Sequence, residues 1–85
     1  MTMVRRQMET KIQMGEKRYD QLVAGDCVWY NGAFVRITQV FPPRGLVRDL
    51  QGTVVRAGGG WDAGEVAAFS GLEYATILVA TEPMP

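Results

Sequence analysis

Histidine is absent from this chain, and Cys27 is its single cysteine. The commonest general base and metal ligand is therefore missing. One cysteine without histidine, or without further cysteines, makes no zinc site, and it cannot form an internal disulfide. That economy of cysteine fits a reducing, cytoplasmic setting. Charge of one sign is also lacking: nine Lys and Arg balance nine Asp and Glu. A general polyanion binder shows a clear basic excess, so this balance argues against one. No apolar run is long enough to span a bilayer, and none reads as a secretory signal. We expect no enzyme, no metal, no cofactor and no membrane association.

The charges that are present are unevenly placed. Residues 1 to 19 are mainly basic, and residues 61 to 85 carry only Asp62, Glu65, Glu73 and Glu82. The 85 residues allow one domain with one small core. Ten glycines suggest tight turns and β structure. Composition shifts at Tyr19, which divides a basic leader (1–18) from a domain (19–85). Val4, Met8 and Ile12 recur at i, i+4, i+8, as on a short amphipathic helix. A helix this short is marginal in water, so an unstructured leader is an equal reading.

Two hairpins are expected. Asn31-Gly32 is the strongest two-residue hairpin signal, because both residues accept the positive φ of a type I′ turn. In the strand after it, Val35, Ile37, Gln39 and Phe41 share one face, and Phe34, Arg36, Thr38 and Val40 the other. Val35 and Ile37 belong inside, Arg36 and Thr38 in water. Pro42-Pro43 ends the strand. A second hairpin is expected in "LVRDLQGTVVRA", with a turn from Asp49 to Gly52 that sets Val47 opposite Val55. "YATILVATE" reads as the last strand, with Ile77 and Val79 on one face and Leu78 and Ala80 on the other.

The stretch "GGGWDAGEVAAFSG" satisfies the dinucleotide fingerprint G-x-G-x-x-[GA] at Gly58, Gly60 and Ala63. Asp62 and Glu65 have capping-box spacing, Trp61 and Val66 suit a hydrophobic staple, and Gly71 suits a C′ residue. This predicts a short helix over 63–70. Two carboxylates at its start would repel a phosphate, and no parallel βαβ unit precedes the glycines. Both features argue against a nucleotide site. Gly58 to Gly60 are either a pliable lead into the helix or a loop presenting Trp61 to a partner.

The segment "LVAGDCVWYNGAFVRITQVFPPRG", residues 22 to 45, resembles the opening of a KOW-type barrel. It is also similar to the N-terminal domain of elongation factor P, where a comparable hairpin leads to a Pro-Gly-Lys-Gly tip. Here the tip reads Pro42-Pro43-Arg44-Gly45, and Arg44 cannot serve as that family's modified lysine. The resemblance implies a fold only: a mainly β, five-stranded antiparallel SH3-like barrel with one short helix before the last strand and an optional N-terminal helix.

Two functions follow as expectations. The first is a non-catalytic protein-interaction module, monomeric or homodimeric, of the accessory or inhibitor kind that phages direct against host machinery. Its contact residues would be Trp29, Tyr30, Phe41, Arg44 and Trp61. The second is a KOW-like nucleic-acid-binding barrel using Arg36, Arg44, Arg48 and Arg56, with Trp29 or Tyr30 for stacking. Convergence of the four arginines on one patch separates the two.

Overall fold

The computed structural model describes residues 12–82. Six strands form one antiparallel sheet: β1 (Met14–Arg18), β2 (Cys27–Tyr30), β3 (Ala33–Val40), β4 (Val47–Arg56), β5 (Val66–Leu72) and β6 (Thr76–Ala80). Their order across the sheet is β1-β6-β2-β3-β4-β5. The sheet is open, with β1 and β5 at its edges, so it is not a closed barrel. It curls strongly nonetheless. Val79 of β6 and Phe69 of β5 share one core with Val28, Val35, Ile37, Leu50 and Val54.

The first hairpin forms as its sequence dictates. Asn31 (φ 48°) and Gly32 (φ 87°) both take positive φ between β2 and β3, as a type I′ turn requires. Val28 pairs with Val35, and Trp29 with Phe34. Val35 and Ile37 are buried, and Thr38 is exposed. A register shift between Ile37 and Gln39 interrupts the expected alternation. Gln39, expected on the face of Val35 and Ile37, is exposed.

The expected second hairpin is instead one continuous strand. β4 pairs with β3 on one side and β5 on the other, so Asp49 to Gly52 are ladder residues and Val47 faces Leu72, not Val55. Gly52 is required for packing: a Cβ there would overlap the Arg36 carbonyl oxygen and the Val35 side chain. A glycine at a close backbone approach carries the same letter as a glycine in a turn.

The expected helix over 63–70 is also replaced by strand, namely β5. The capping motif survives as a single turn. Asp62 N–H donates to Glu65 Oε2 at 2.6 Å, and Glu65 N–H donates to Asp62 O at 3.1 Å. Gly64 then takes φ 94°, which turns the chain out of the helical region. From Val66 onward burial alternates, with Ala67 and Phe69 inside and Val66, Ala68 and Ser70 outside. That period of two matches an edge seat on β4, and an eight-residue helix offers little to compete with it. Gly71 is no helix cap: Tyr19 lays its ring where a Gly71 side chain would stand.

Residues 14–18, expected in the leader, form β1 and pair with β6 from Met14↔Ala80 to Arg18↔Thr76. A 3-10 turn (Tyr19–Gln21) follows. It sets the chain against the connection between β5 and β6, where Tyr19 N–H donates to Ala75 O and Asp20 N–H to Glu73 O. Tyr19 meets Phe69 edge-on at 6.4 Å, and burial pushes its hydroxyl pKa up, with Tyr30 adding to the shift. The Val4, Met8 positions of the expected N-terminal helix lie outside the described residues.

Candidate binding face

The curl of the sheet gives it a concave face filled by the core and a convex face turned to solvent. Alternation assigns each strand residue to one or the other. Val28, Val35 and Val54 form a row on the concave side; Trp29, Phe34 and Arg56 form the next row, on the convex side. Leu78 of β6 lies one residue from the Val28↔Val79 pair and so falls beside Trp29.

These convex residues bound a groove of about 410 Å³ lined by Ile12, Met14, Trp29, Phe34, Arg56 and Leu78, closed at one end by Gly32 and Ala57. Trp29 stands edge-on to Phe34 at 5.0 Å. Phe34 is thereby reduced to 5% exposure, while Trp29 keeps 41% and Leu78 40%. Arg56 is exposed and belongs to none of the ion pairs among the described residues. The groove is thus an apolar floor with a guanidinium at its rim that no described carboxylate pairs.

The expected contact residues divide between surfaces. Trp29 alone lies in the groove. Tyr30 points the other way and stacks on Phe69 at 4.6 Å. Trp61 is half-buried, packs on the core and reaches Tyr30 at 6.3 Å. Phe41 and Arg44 lie beyond the opposite end of β3 from the Asn31-Gly32 turn. Phe41 is half-buried and Arg44 exposed.

The glycine run has a packing role. Gly58 and Gly59 press their backbones against the Asn31-Gly32 turn. A Cβ at Gly58 would overlap the Gly32 carbonyl oxygen, and one at Gly59 the Asn31 carbonyl oxygen. Gly58 and Trp61 exchange backbone hydrogen bonds of 3.1 and 2.8 Å, which close the loop. The run leads into no helix, since β5 follows it.

The four arginines do not form one basic patch. Arg44 grips Asp49 with two hydrogen bonds, 2.7 Å from Nε and 3.0 Å from Nη2. Ser70 donates to the same carboxylate at 2.6 Å. The Arg44 bonds first, and the Ser70 bond second, lower the Asp49 pKa to about 2. Arg48 pairs with Glu73 at 2.8 Å. Arg36 and Arg56 share the convex face with Trp29. Cys27 is a buried thiol beside Arg36; burial pushes its pKa up, and the Arg36 charge offsets part of that.

Phe34, Leu78, Ile12 and Met14 were absent from the expected contact set. A signal for two of them existed in the alternation: Phe34 and Leu78 are large apolar residues on strand faces whose neighbours point to water. Among the described residues no group of His, Cys, Asp or Glu could hold a metal, and no helix is long and apolar enough to cross a membrane. Compared with protein-family models, curated proteins and solved structures, the chain matches none.

Proposed function

We propose that this chain is a non-catalytic binding module that engages a protein partner through the convex face of β2, β3 and β6. One observation carries the reading. Trp29 and Leu78 remain side by side and about two-fifths exposed over a buried Phe34, in a groove with Arg56 at its rim. A buried platform under exposed aromatic and aliphatic groups, flanked by arginine, has the composition of an interface centre. Trp29 is the anchor, Leu78 and Phe34 are the floor, and Arg56 meets a carboxylate of the partner. The unpaired Cys27 supports a cytoplasmic site of action. Small size and zero net charge suit an accessory or inhibitory protein, the kind phages direct against host machinery.

A second reading is favoured by Arg36 and Arg56, which flank Trp29 on the same face. It is a nucleic-acid-binding sheet of KOW type, with Trp29 stacking on a base. The hairpin and the curl of the sheet support an SH3-like layout within either reading. Against the second, Arg44 and Arg48 are already matched by Asp49 and Glu73.

Titration with mixed-sequence single- and double-stranded DNA and RNA at rising salt separates the two. The protein-binding reading expects no saturable binding at physiological ionic strength. Saturable binding that weakens steeply with salt and is lost in an Arg36→Ala, Arg56→Ala double variant would establish the second reading instead.

A further inference from the structure

The two edges of the sheet differ in how they are guarded. β1 carries Glu16, Lys17 and Arg18 among its five residues. Charges on an edge strand discourage pairing with another chain. β5 reads Val66-Ala67-Ala68-Phe69-Ser70-Gly71-Leu72, with no charge and no proline. Its ladder to β4 is bracketed by Val54 N–H to Glu65 O at 2.8 Å and Glu73 N–H to Leu46 O at 2.8 Å. With the register between them, Ala67, Phe69 and Gly71 direct their backbone groups to β4. Val66, Ala68 and Ser70 therefore project their N–H and C=O groups from the open edge, where no described residue meets them. Their side chains are exposed as well, Val66 to 61%.

We propose that β5 is a self-association edge, pairing antiparallel with β5 of a second copy about a two-fold axis through Ala68. The pattern of free groups is self-complementary about that axis. Ala68 falls opposite Ala68 of the second copy, and Val66 opposite Ser70, so the outward N–H and C=O groups of these three residues pair with one another. Charge selects the same register. With the axis at Ala68, Glu65 lies opposite Gly71 and Glu73 opposite Ala63. Moving the axis to Phe69 sets Val66 opposite Leu72, whose carbonyl already accepts from Ala75 N–H, and sets Glu65 against Glu73, a like-charge opposition. A chain of zero net charge adds no long-range repulsion between copies. The product is a continuous twelve-stranded sheet, two sheets of six, with the Trp29 grooves left open on both copies.

Sedimentation equilibrium of the full chain across a concentration series tests this. The expected result is a species of twice the 9.4 kDa chain whose fraction rises with concentration. Ala68→Pro deletes an outward N–H that β4 does not use, and Ala68→Lys sets two ammonium groups opposite each other. Both should return the mass to the single chain and melt as the parent does at dilutions where it is a single chain. A third variant needs no loss of stability at all. In a hydrogen-bonded antiparallel pair the two Cα atoms stand about 5.5 Å apart, within disulfide reach. Mild oxidation of Ala68→Cys should therefore cross-link two copies, while Val66→Cys, facing Ser70, should not. A single-chain mass at every concentration overturns the proposal. So does a dimer that persists in a folded Ala68→Lys variant, or equal cross-linking of the two cysteine variants.

Discussion

Phe69→Leu tests whether β5 is a strand whose odd positions complete the core. Phe69 is buried and carries two ring contacts, a stack on Tyr30 at 4.6 Å and an edge contact with Tyr19 at 6.4 Å. Leucine retains most of the apolar burial, and a swap of this size costs less than about 1.5 kcal/mol in packing. Each aromatic pair contributes about 0.5–1.5 kcal/mol beyond its area. The combined loss should be about 2 kcal/mol, and Tm should fall by roughly 8–16 °C for a domain of this size. A chain of this length is stable by roughly 4–13 kcal/mol, so the variant still folds, whereas Phe69→Ala, at about 3–5 kcal/mol, would remove much of the margin. Urea unfolding measures the difference. Ala68→Gln, one residue away and exposed, should stay within about 0.5 kcal/mol when both proteins are compared at dilutions where each is a single chain. A Tyr30→Leu, Phe69→Leu double-mutant cycle should return a coupling of about 0.5–1.5 kcal/mol. Phe69→Leu within 0.5 kcal/mol of the parent, beside a costly Ala68→Gln, would refute the strand register.

Three further outcomes follow from the same geometry. Glu65→Ala should cost about 0.5–1.5 kcal/mol, since its carboxylate accepts the Asp62 N–H. Asp62→Ala should cost less in the same denaturation series, because the bond uses the Asp62 backbone. Gly59→Ala should destabilise by about 2 kcal/mol or more, combining left-handed strain with overlap on the Asn31 carbonyl; Gly60→Ala, with open space around it, should cost about half as much. Asp49 should titrate near pH 2 by carboxyl NMR shifts, and Arg44→Ala should move its midpoint up towards 3.8. Because its folded pKa is depressed, the stability it confers is present above the unfolded value and is lost as pH falls from about 4 through about 2. An acid limb unchanged by Asp49→Asn would contradict that assignment.

How much of this was legible in the sequence depended on whether a signal had one meaning or two. Asn31-Gly32 between alternating strands has one meaning, and the hairpin formed with Val35 and Ile37 inside. Pro42-Pro43 likewise ended β3. Gly52 after Asp49 and Leu50 has two: it can end a turn, or it can admit a neighbouring backbone. The second won because β4 is flanked on both sides, a fact of tertiary pairing that no local window contains. Asp62-x-x-Glu65 also has two, since the first turn of a helix and an isolated turn share their hydrogen bonds. Gly64 and the alternation from Val66 to Ser70 decided for the turn. Of the candidate contact residues, Trp29 lies in the groove, while Tyr30, one position on, faces the core by the period of two. Phe34 and Leu78 read as apolar residues on a wet face. Their convergence depends on β6 pairing with β2, which is set by the strand order and not by either segment alone.

We propose the Trp29–Leu78 groove as the surface by which this protein acts. The most direct measurement is comparative affinity capture from cells that produce it, using the parent chain, Trp29→Thr, Leu78→Thr and an Arg44→Ala, Arg48→Ala double variant as baits. Each bait is first shown by thermal melting to be folded at the capture temperature. Both groove positions lie on strands, where threonine is well tolerated. The expected result is one protein partner captured by the parent and by the double arginine variant, with binding reduced at least about 30-fold, or roughly 2 kcal/mol, by Trp29→Thr and measurably by Leu78→Thr. Capture of the same partner at undiminished affinity by folded Trp29→Thr and Leu78→Thr would contradict it.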